Sequence, residues 1–306
     1  MLLNRRTSIL SSLLLFGKFG QAHGEPADLV AVTVSFSILG DLVKVVGGKR
    51  VRMRLLAGPN QDAHTFEPRV VDAKALLSSR LLVSNGLDFE PWVGRLVQSS
   101  GFKARHLLAA TGIKTRTMAD EDGKQTTDPH AWQNPLNVTR YVRNIADALS
   151  EIDPAARADY QARAQAYSVE LTALDAWAKG QFATIAPAQR KAIISHDALA
   201  YLGEHYGIQF SAPVGISTEA QPNARQMRKL IRQVKRENIR AVFIENMSNQ
   251  QLIRQLAQET GVEPGPPLFT DALSEPDGPA PDYLSMMRHN IGALASAMRH
   301  KGGTIN

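Results

Sequence analysis

Residues 153–182, DPAARADYQARAQAYSVELTALDAWAKGQF, decide the architecture. Asp153 is a good N-cap, and Pro154 suits the first helical position, where its missing N–H has no intrahelical partner to lose. No residue then interrupts the helix before Gly180, and Tyr160, Tyr167, Leu171, Leu174 and Ala178 fall on one stripe. At about 1.5 Å per residue the segment predicts a rod of roughly 45 Å, longer than one small domain is wide. Such a rod reads as a spine between two lobes. A single long core helix is the alternative, and the histidine-bearing segments on either side of the rod argue against it.

Outward from the rod the chain alternates short β-rich runs with amphipathic ones. On the N-terminal side, strands are predicted at 30–34, 51–55, 81–83 and 105–108, and helices at 38–46, 69–79, 91–99 and 135–152. On the C-terminal side, strands are predicted at 191–194, 208–211, 241–244 and 268–269, and helices at 197–206, 223–237, 249–260 and 281–299, with a proline-rich loop over 263–282. Strands separated by helices imply parallel pairing in wound sheets. The expected fold is α/β: two wound βα lobes, 25–152 and 183–306, joined by the helix 153–182. At 306 residues and 43% hydrophobic, the chain can bury two cores of ordinary size.

Four segments carry the chemistry: Asp62-Ala63-His64-Thr65-Phe66-Glu67-Pro68, Asp128-Pro129-His130-Ala131-Trp132, Ser195-His196-Asp197 and Thr270-Asp271-Ala272-Leu273-Ser274. Each follows a predicted strand, and wound sheets bind ligands beyond the carboxyl ends of their strands. His64, His130, His196 and Asp271 can therefore face one interlobe cleft. Three neutral imidazoles and a carboxylate form an N3O donor set suited to tetrahedral Zn(II). Taken singly, each histidine reads almost as well as a packed or solvated side chain.

In order and spacing, from about Val30 to Met298, the four segments resemble the periplasmic zinc and manganese solute-binding proteins of bacterial metal ABC importers, the cluster A-I zinc-uptake type. The resemblance implies that His64, His130, His196 and Asp271 supply the metal shell. It also implies a membrane permease, driven by a cytoplasmic ATPase, as partner. A glutamate often replaces the third histidine in manganese-directed members, so His196 points to Zn(II) as transported ligand, with Mn(II) or Fe(II) as the alternative. Asp62, Glu67, Asp128 and Asp197 are candidates to accept the outer imidazole N–H groups. Trp132 reads as a wall of the cleft or as core, and Glu245, which matches a family position, as structural. Many zinc-directed relatives carry a histidine-rich loop before the second ligand. Here residues 111–129 hold no histidine and carry Asp120, Glu121 and Asp122 instead.

The N-terminus supplies Arg5 and Arg6, an apolar run from Ile9 to Phe16 and small residues near Ala22, the pattern of a cleaved signal peptide over 1–24. The apolar run is too short to span a bilayer, and the arginine pair hints at twin-arginine export. Without cysteine the chain has neither disulfides nor the thiol for lipid attachment, so a soluble periplasmic product is expected. Removing the peptide lowers the formal charge from +6 to about +3 or +4, too small and dispersed an excess for nucleic acid. The densest basic run, 225–240, alternates with apolar residues at helical spacing and reads as a solvated helix face. A monomer is expected, with a periplasmic metallochaperone as a further partner.

The competing class is a mononuclear zinc hydrolase, since three histidines leave a position open for a metal-bound water. Against it, Asp271 fills that position, and neither a His-Glu-x-x-His helix nor a glycine-framed serine occurs.

Overall fold

The computed structural model describes residues 29–119, 125–215, 218, 224–247 and 250–299. The expected signal peptide, the acidic residues 120–122 and His300 lie outside the described residues.

The first lobe is built on a parallel sheet of order β2-β1-β3-β4, from β1 (Val30–Phe36), β2 (Val51–Ala57), β3 (Leu81–Ser84) and β4 (Arg105–Leu108). Val32 of β1 pairs with Met53 on one side and Leu81 on the other. Central strands of parallel sheets are covered on both faces and read as continuous apolar runs. That is why β1 is buried at every position but Ala31. The edge strand β2 instead exposes Arg52, Met53 and Arg54, charges that discourage pairing with another chain. The crossovers are α1 (Ser37–Gly47), α2 (Val70–Leu77) and α3 (Pro91–Ser100). A short antiparallel pair that the sequence reading did not foresee, β5 (Thr117–Ala119) with β6 (Gln125–Thr127), precedes α4 (Pro135–Ile152).

The spine is α5 (Arg157–Ala183), entered through a 3-10 turn at Pro154–Ala156. Its 27 residues make a rod of about 40 Å. Gly180 does not end it: the helix runs on until Phe182 is buried, and burying such a ring outweighs the roughly 1 kcal/mol that an interior glycine costs. Each half is fastened to a different lobe. Near its start, Arg163 donates to the carbonyls of Val46 and Gly47 at the end of α1, and Tyr160 donates to Asp153, which also pairs with Arg50. Near its end, Asp175 accepts from Tyr206 and contacts the ring of His205, both on α6 (Ala200–Tyr206).

The second lobe carries a smaller parallel sheet, order β8-β7-β9, from β7 (Lys191–Ile193), β8 (Gln209–Ser211) and β9 (Ala241–Val242), with α7 (Ala224–Glu237), α8 (Gln250–Thr260) and α9 (Tyr283–Arg299) around it. On α7 the buried residues are Met227, Leu230 and Val234, while its arginines and lysines are exposed. Two expectations need correction here. Residues 268–269 form no strand but a single bridge, Leu268 to Glu245, because the side chain of Asn290 on α9 takes both the N–H and the carbonyl of Phe269. The helix expected at 197–206 starts only at Ala200, since the N–H of Asp197 donates to Gly215 O and that of Ala198 turns back to His196 O, so neither carries a helical hydrogen bond.

One hydrophobic core runs from β1 through α4 and α5 to α9, so the spine belongs to both lobes rather than linking separate bodies. Smaller cores lie under α7 and α8 and under α2 and α3. Among the described residues no helix is long and apolar enough to cross a membrane.

Candidate metal centre

His64 sits in the loop between β2 and α2, where its backbone N–H donates to Asp62 Oδ1 at 2.8 Å. The other Asp62 oxygen accepts from Thr218 Oγ1 at 2.5 Å, a contact that reaches the second lobe. Trp92 on α3 donates its indole N–H to Ala63 O at 2.7 Å, fixing the residue before the histidine. His130 follows β6, and Asp128 Oδ1 meets both its backbone N–H (3.0 Å) and its ring Nδ1 (2.9 Å). Held this way, the ring presents Nε2 inward. Phe89 and Trp132 stack edge-on against it and exclude water.

His196 and Asp271 come from the second lobe and share one fastening. Glu245, fully buried, accepts from the backbone N–H groups of Ser195 (2.8 Å) and His196 (3.0 Å) through Oε1, and from Thr270 Oγ1 (2.8 Å) through Oε2. Oε2 also lies 2.5 Å from His196 Nδ1, a charge contact not aligned as a hydrogen bond. Thr270 O accepts from Trp132 Nε1 (2.8 Å) and Gln133 Nε2 (2.6 Å), which staples the turn after His130 to the residue before Asp271.

The four side chains converge. One ligand atom from each of His64, His130, His196 and Asp271 lies within 4.8 Å of the others, and all four residues are buried. His64 Nε2 is 3.3 Å from His130 Nε2 and 3.4 Å from Asp271 Oδ2, while Asp271 is 3.0 Å from His196 Nε2 through Oδ2 and 3.7 Å from His130 Nε2 through Oδ1. Bonds of about 2.0–2.2 Å to one tetrahedral ion put ligand atoms about 3.3–3.6 Å apart, the range these separations bracket. Both oxygens of Asp271 and Nε2 of His196 are buried without a hydrogen-bond partner. Unpaired polar atoms at such depth are costly unless a cation satisfies them.

The electrostatics agree. Burial disfavours a charge on His130, but Asp271 and Asp128 outweigh it and raise its pKa to about 9. Burial likewise opposes a charged His196, yet Glu245 and Asp271 push it well above the ordinary range. Asp271 is held well below its ordinary value: burial works against the carboxylate, and His196 and His130 prevail. The pocket is built for positive charge.

Of the candidate outer-shell acids, only Asp128 meets an imidazole. Asp62 serves a backbone N–H instead, and Glu67 is exposed. Asp197 is half-buried, its pKa raised by burial and by Asp128, and its backbone N–H serves Gly215. Glu245, read from sequence as structural, is the residue that reading undervalued, since it touches His196 directly and ties both second-lobe ligand segments together. Its spacing from His196 and Asp271 carried no periodic signal; only a buried glutamate at a strand end, in Phe243-Ile244-Glu245, could have drawn attention.

Residues 32–297 match the family described as zinc-uptake complex component A, periplasmic. The chain belongs to that family. It is 30% identical to the manganese-binding lipoprotein MntA of Halalkalibacterium halodurans over 90% of each chain, and 29% identical to the iron-binding protein YfeA of Yersinia pestis over 90% of this chain and 89% of that one. Among solved structures, a manganese-bound mutant of the periplasmic metal binding protein from Candidatus Liberibacter asiaticus superposes with a TM-score of 0.81 at 28% identity, covering 88% of this chain and 99% of that one. The periplasmic zinc binding protein TroA of Treponema pallidum shares the fold, with a TM-score of 0.83 at 24% identity over 89% of this chain and all of that one. The chain is thus the metal-binding component of an ABC importer, which works with a membrane permease, and the hydrolase alternative is excluded.

Proposed function

We propose that the protein captures Zn(II) in the periplasm, with His64, His130, His196 and Asp271 as its four ligands, and delivers it to the permease. The observation that carries this reading is the buried N3O set, one ligand atom from each residue within 4.8 Å of the others, around a negatively biased point. Imidazole-rich shells suit zinc, whereas harder ions prefer more oxygen. The ion is cargo: the chain binds it, shields it from water and lets it go. Export by a cleaved signal peptide over 1–24, lobes at 25–152 and 183–306, a monomeric state and supply by a metallochaperone belong to the same proposal.

A specific observation favours a second reading, Mn(II) or Fe(II). Asp271 points Oδ2 at His64 and His196 and Oδ1 at His130, so the carboxylate can chelate through both oxygens and expand the shell. The relatives named for manganese and iron weigh the same way. Competitive titration of the purified protein with Zn(II) and Mn(II), joined to elemental analysis of protein taken from its own cell compartment, decides. Zinc at one equivalent in both supports the proposal; manganese or iron at one equivalent from the cell overturns the zinc assignment.

A further inference from the structure

On the outer face of the first lobe, α2 and α3 enclose a groove of about 480 Å³. Trp92 and Leu96 form its floor, Val70 lines one wall, and Arg69 and Arg95 stand at its rim. The eight residues of α2 expose an unusual amount of apolar surface: Val70 is 74% exposed, Leu77 59% and Val71 50%. Of these Val70 lines the groove itself, and exposed apolar surface beside a concave apolar groove is a feature of interaction sites.

Charge narrows the occupant. Arg69 shares the buried carboxylate of Asp72 with Arg54, at 3.6 and 2.8 Å, so two guanidinium groups face one acid. Arg95 is exposed and has no acidic partner among the described residues. The rim is therefore electropositive and fits an acidic partner. A second copy of the chain fits badly, because a two-fold interface through α2 would set each basic rim against its like. The chain's own N-terminal apolar run is flanked by Arg5, Arg6 and Lys18 and meets the same repulsion.

The groove is also mechanically continuous with the metal centre. Pro68 and Arg69 close the loop that carries His64, and Trp92 both floors the groove and holds Ala63 O, the residue beside His64. Phe66 from the same loop stacks on Trp92 at 4.9 Å. Pressure on that indole reaches the first ligand through one hydrogen bond.

We propose that this groove receives an extracytoplasmic segment of the permease, apolar at its centre and acidic at its flanks, and that its seating on Trp92 loosens the His64 loop. The inference rests on the reading of the chain as the capture component of a metal importer. Its test is metal uptake by cells whose own copy of the gene is replaced by variants, measured with radioactive zinc at low concentration. Val70→Asp and Arg95→Glu should each lower uptake roughly tenfold or more, as expected for an interface centre, while the purified variants keep the parent's zinc affinity. Val169→Asp, at an exposed apolar position on α5, should leave uptake unchanged. Wild-type uptake by both groove variants overturns the docking site while leaving the capture function intact. A parent chain that supports no uptake of zinc, manganese or iron overturns the functional reading and the docking site with it. Loss of uptake accompanied by lost binding to phosphatidylglycerol vesicles, or by conversion of a dimer to a monomer in sedimentation, also overturns the proposal, since the groove would then be a lipid or self-association surface.

Discussion

The two pairs of candidate ligands are held in opposite ways. His196 follows strand β7, Asp271 follows the single bridge at Leu268, and one buried carboxylate, Glu245, binds the backbone of the first segment and the threonine of the second. His64 and His130 stand on loops beyond their sheet, each fixed by an aspartate two residues earlier and by aromatic packing. In the first pair one shared residue fastens both segments, whereas the His64 loop is secured by a few separable contacts. On the proposed reading the second lobe is expected to act as a preset half-site and the His64 loop to be the part that yields on capture and release. The spine, fastened at both ends and sharing one core with both lobes, opposes wide opening.

Removing a ligand from either half should have the largest effect. Buried four-ligand zinc sites bind with about 10–16 kcal/mol, so one ligand is worth about 3–4 kcal/mol, or roughly 10²- to 10³-fold in affinity. His130→Ala and Asp271→Ala should each show this loss in a competitive zinc titration while circular dichroism remains that of the parent. Unchanged affinity would remove the residue from the shell.

Proton competition comes next. The bound state needs neutral imidazoles, yet the free protein holds His130 protonated up to about 9 and His196 beyond the ordinary range. Metal uptake therefore expels protons, and affinity should fall with pH from about 9 downward, by up to about 100-fold per unit where both rings must deprotonate. An unperturbed histidine would confine this loss to pH below about 6.5. For the metal-free fold the sign reverses: the pairing of His130 with Asp271 and Asp128 stabilises it fully below about 6.5 and is lost as pH rises through about 9. Calorimetry at a series of pH values reads proton release and melting together.

Glu245→Gln keeps shape but removes the charge beside His196, and should lower affinity about 10- to 100-fold, the usual cost of an outer-shell change. If it does nothing, the second lobe is no preset half-site. The smallest effect belongs to Trp92→Phe, which deletes one hydrogen bond of about 1 kcal/mol. Zinc dissociation in stopped flow should quicken about fivefold, with less change in the association rate.

The spine and the four converging segments were legible in sequence because each depends on local rules: an N-cap with proline, an unbroken apolar stripe, ligand-type residues just beyond β-rich runs. The long loops before His64 and His130 gave no geometry of their own, so convergence had to come from the resemblance. What escaped is non-local. Asn290 replaces a strand partner for Phe269 from a distant helix, the non-helical turn before Ala200 depends on Gly215, and Glu245 reaches two segments separated from it in the chain. None of these has a periodicity. The C-terminal end of the spine, expected at 182, falls at Ala183, with burial of Phe182 outweighing the local cost of Gly180, while its start moves from Asp153 to Arg157 because Pro154–Ala156 form a 3-10 turn.

The most direct test of the four-ligand centre is X-ray absorption at the zinc edge on protein loaded with one equivalent of Zn(II). Four nitrogen or oxygen neighbours at about 2.0–2.1 Å, with the outer-shell scattering of three imidazoles, is the expected result. A shell of oxygens alone, or scattering from fewer rings, would contradict it.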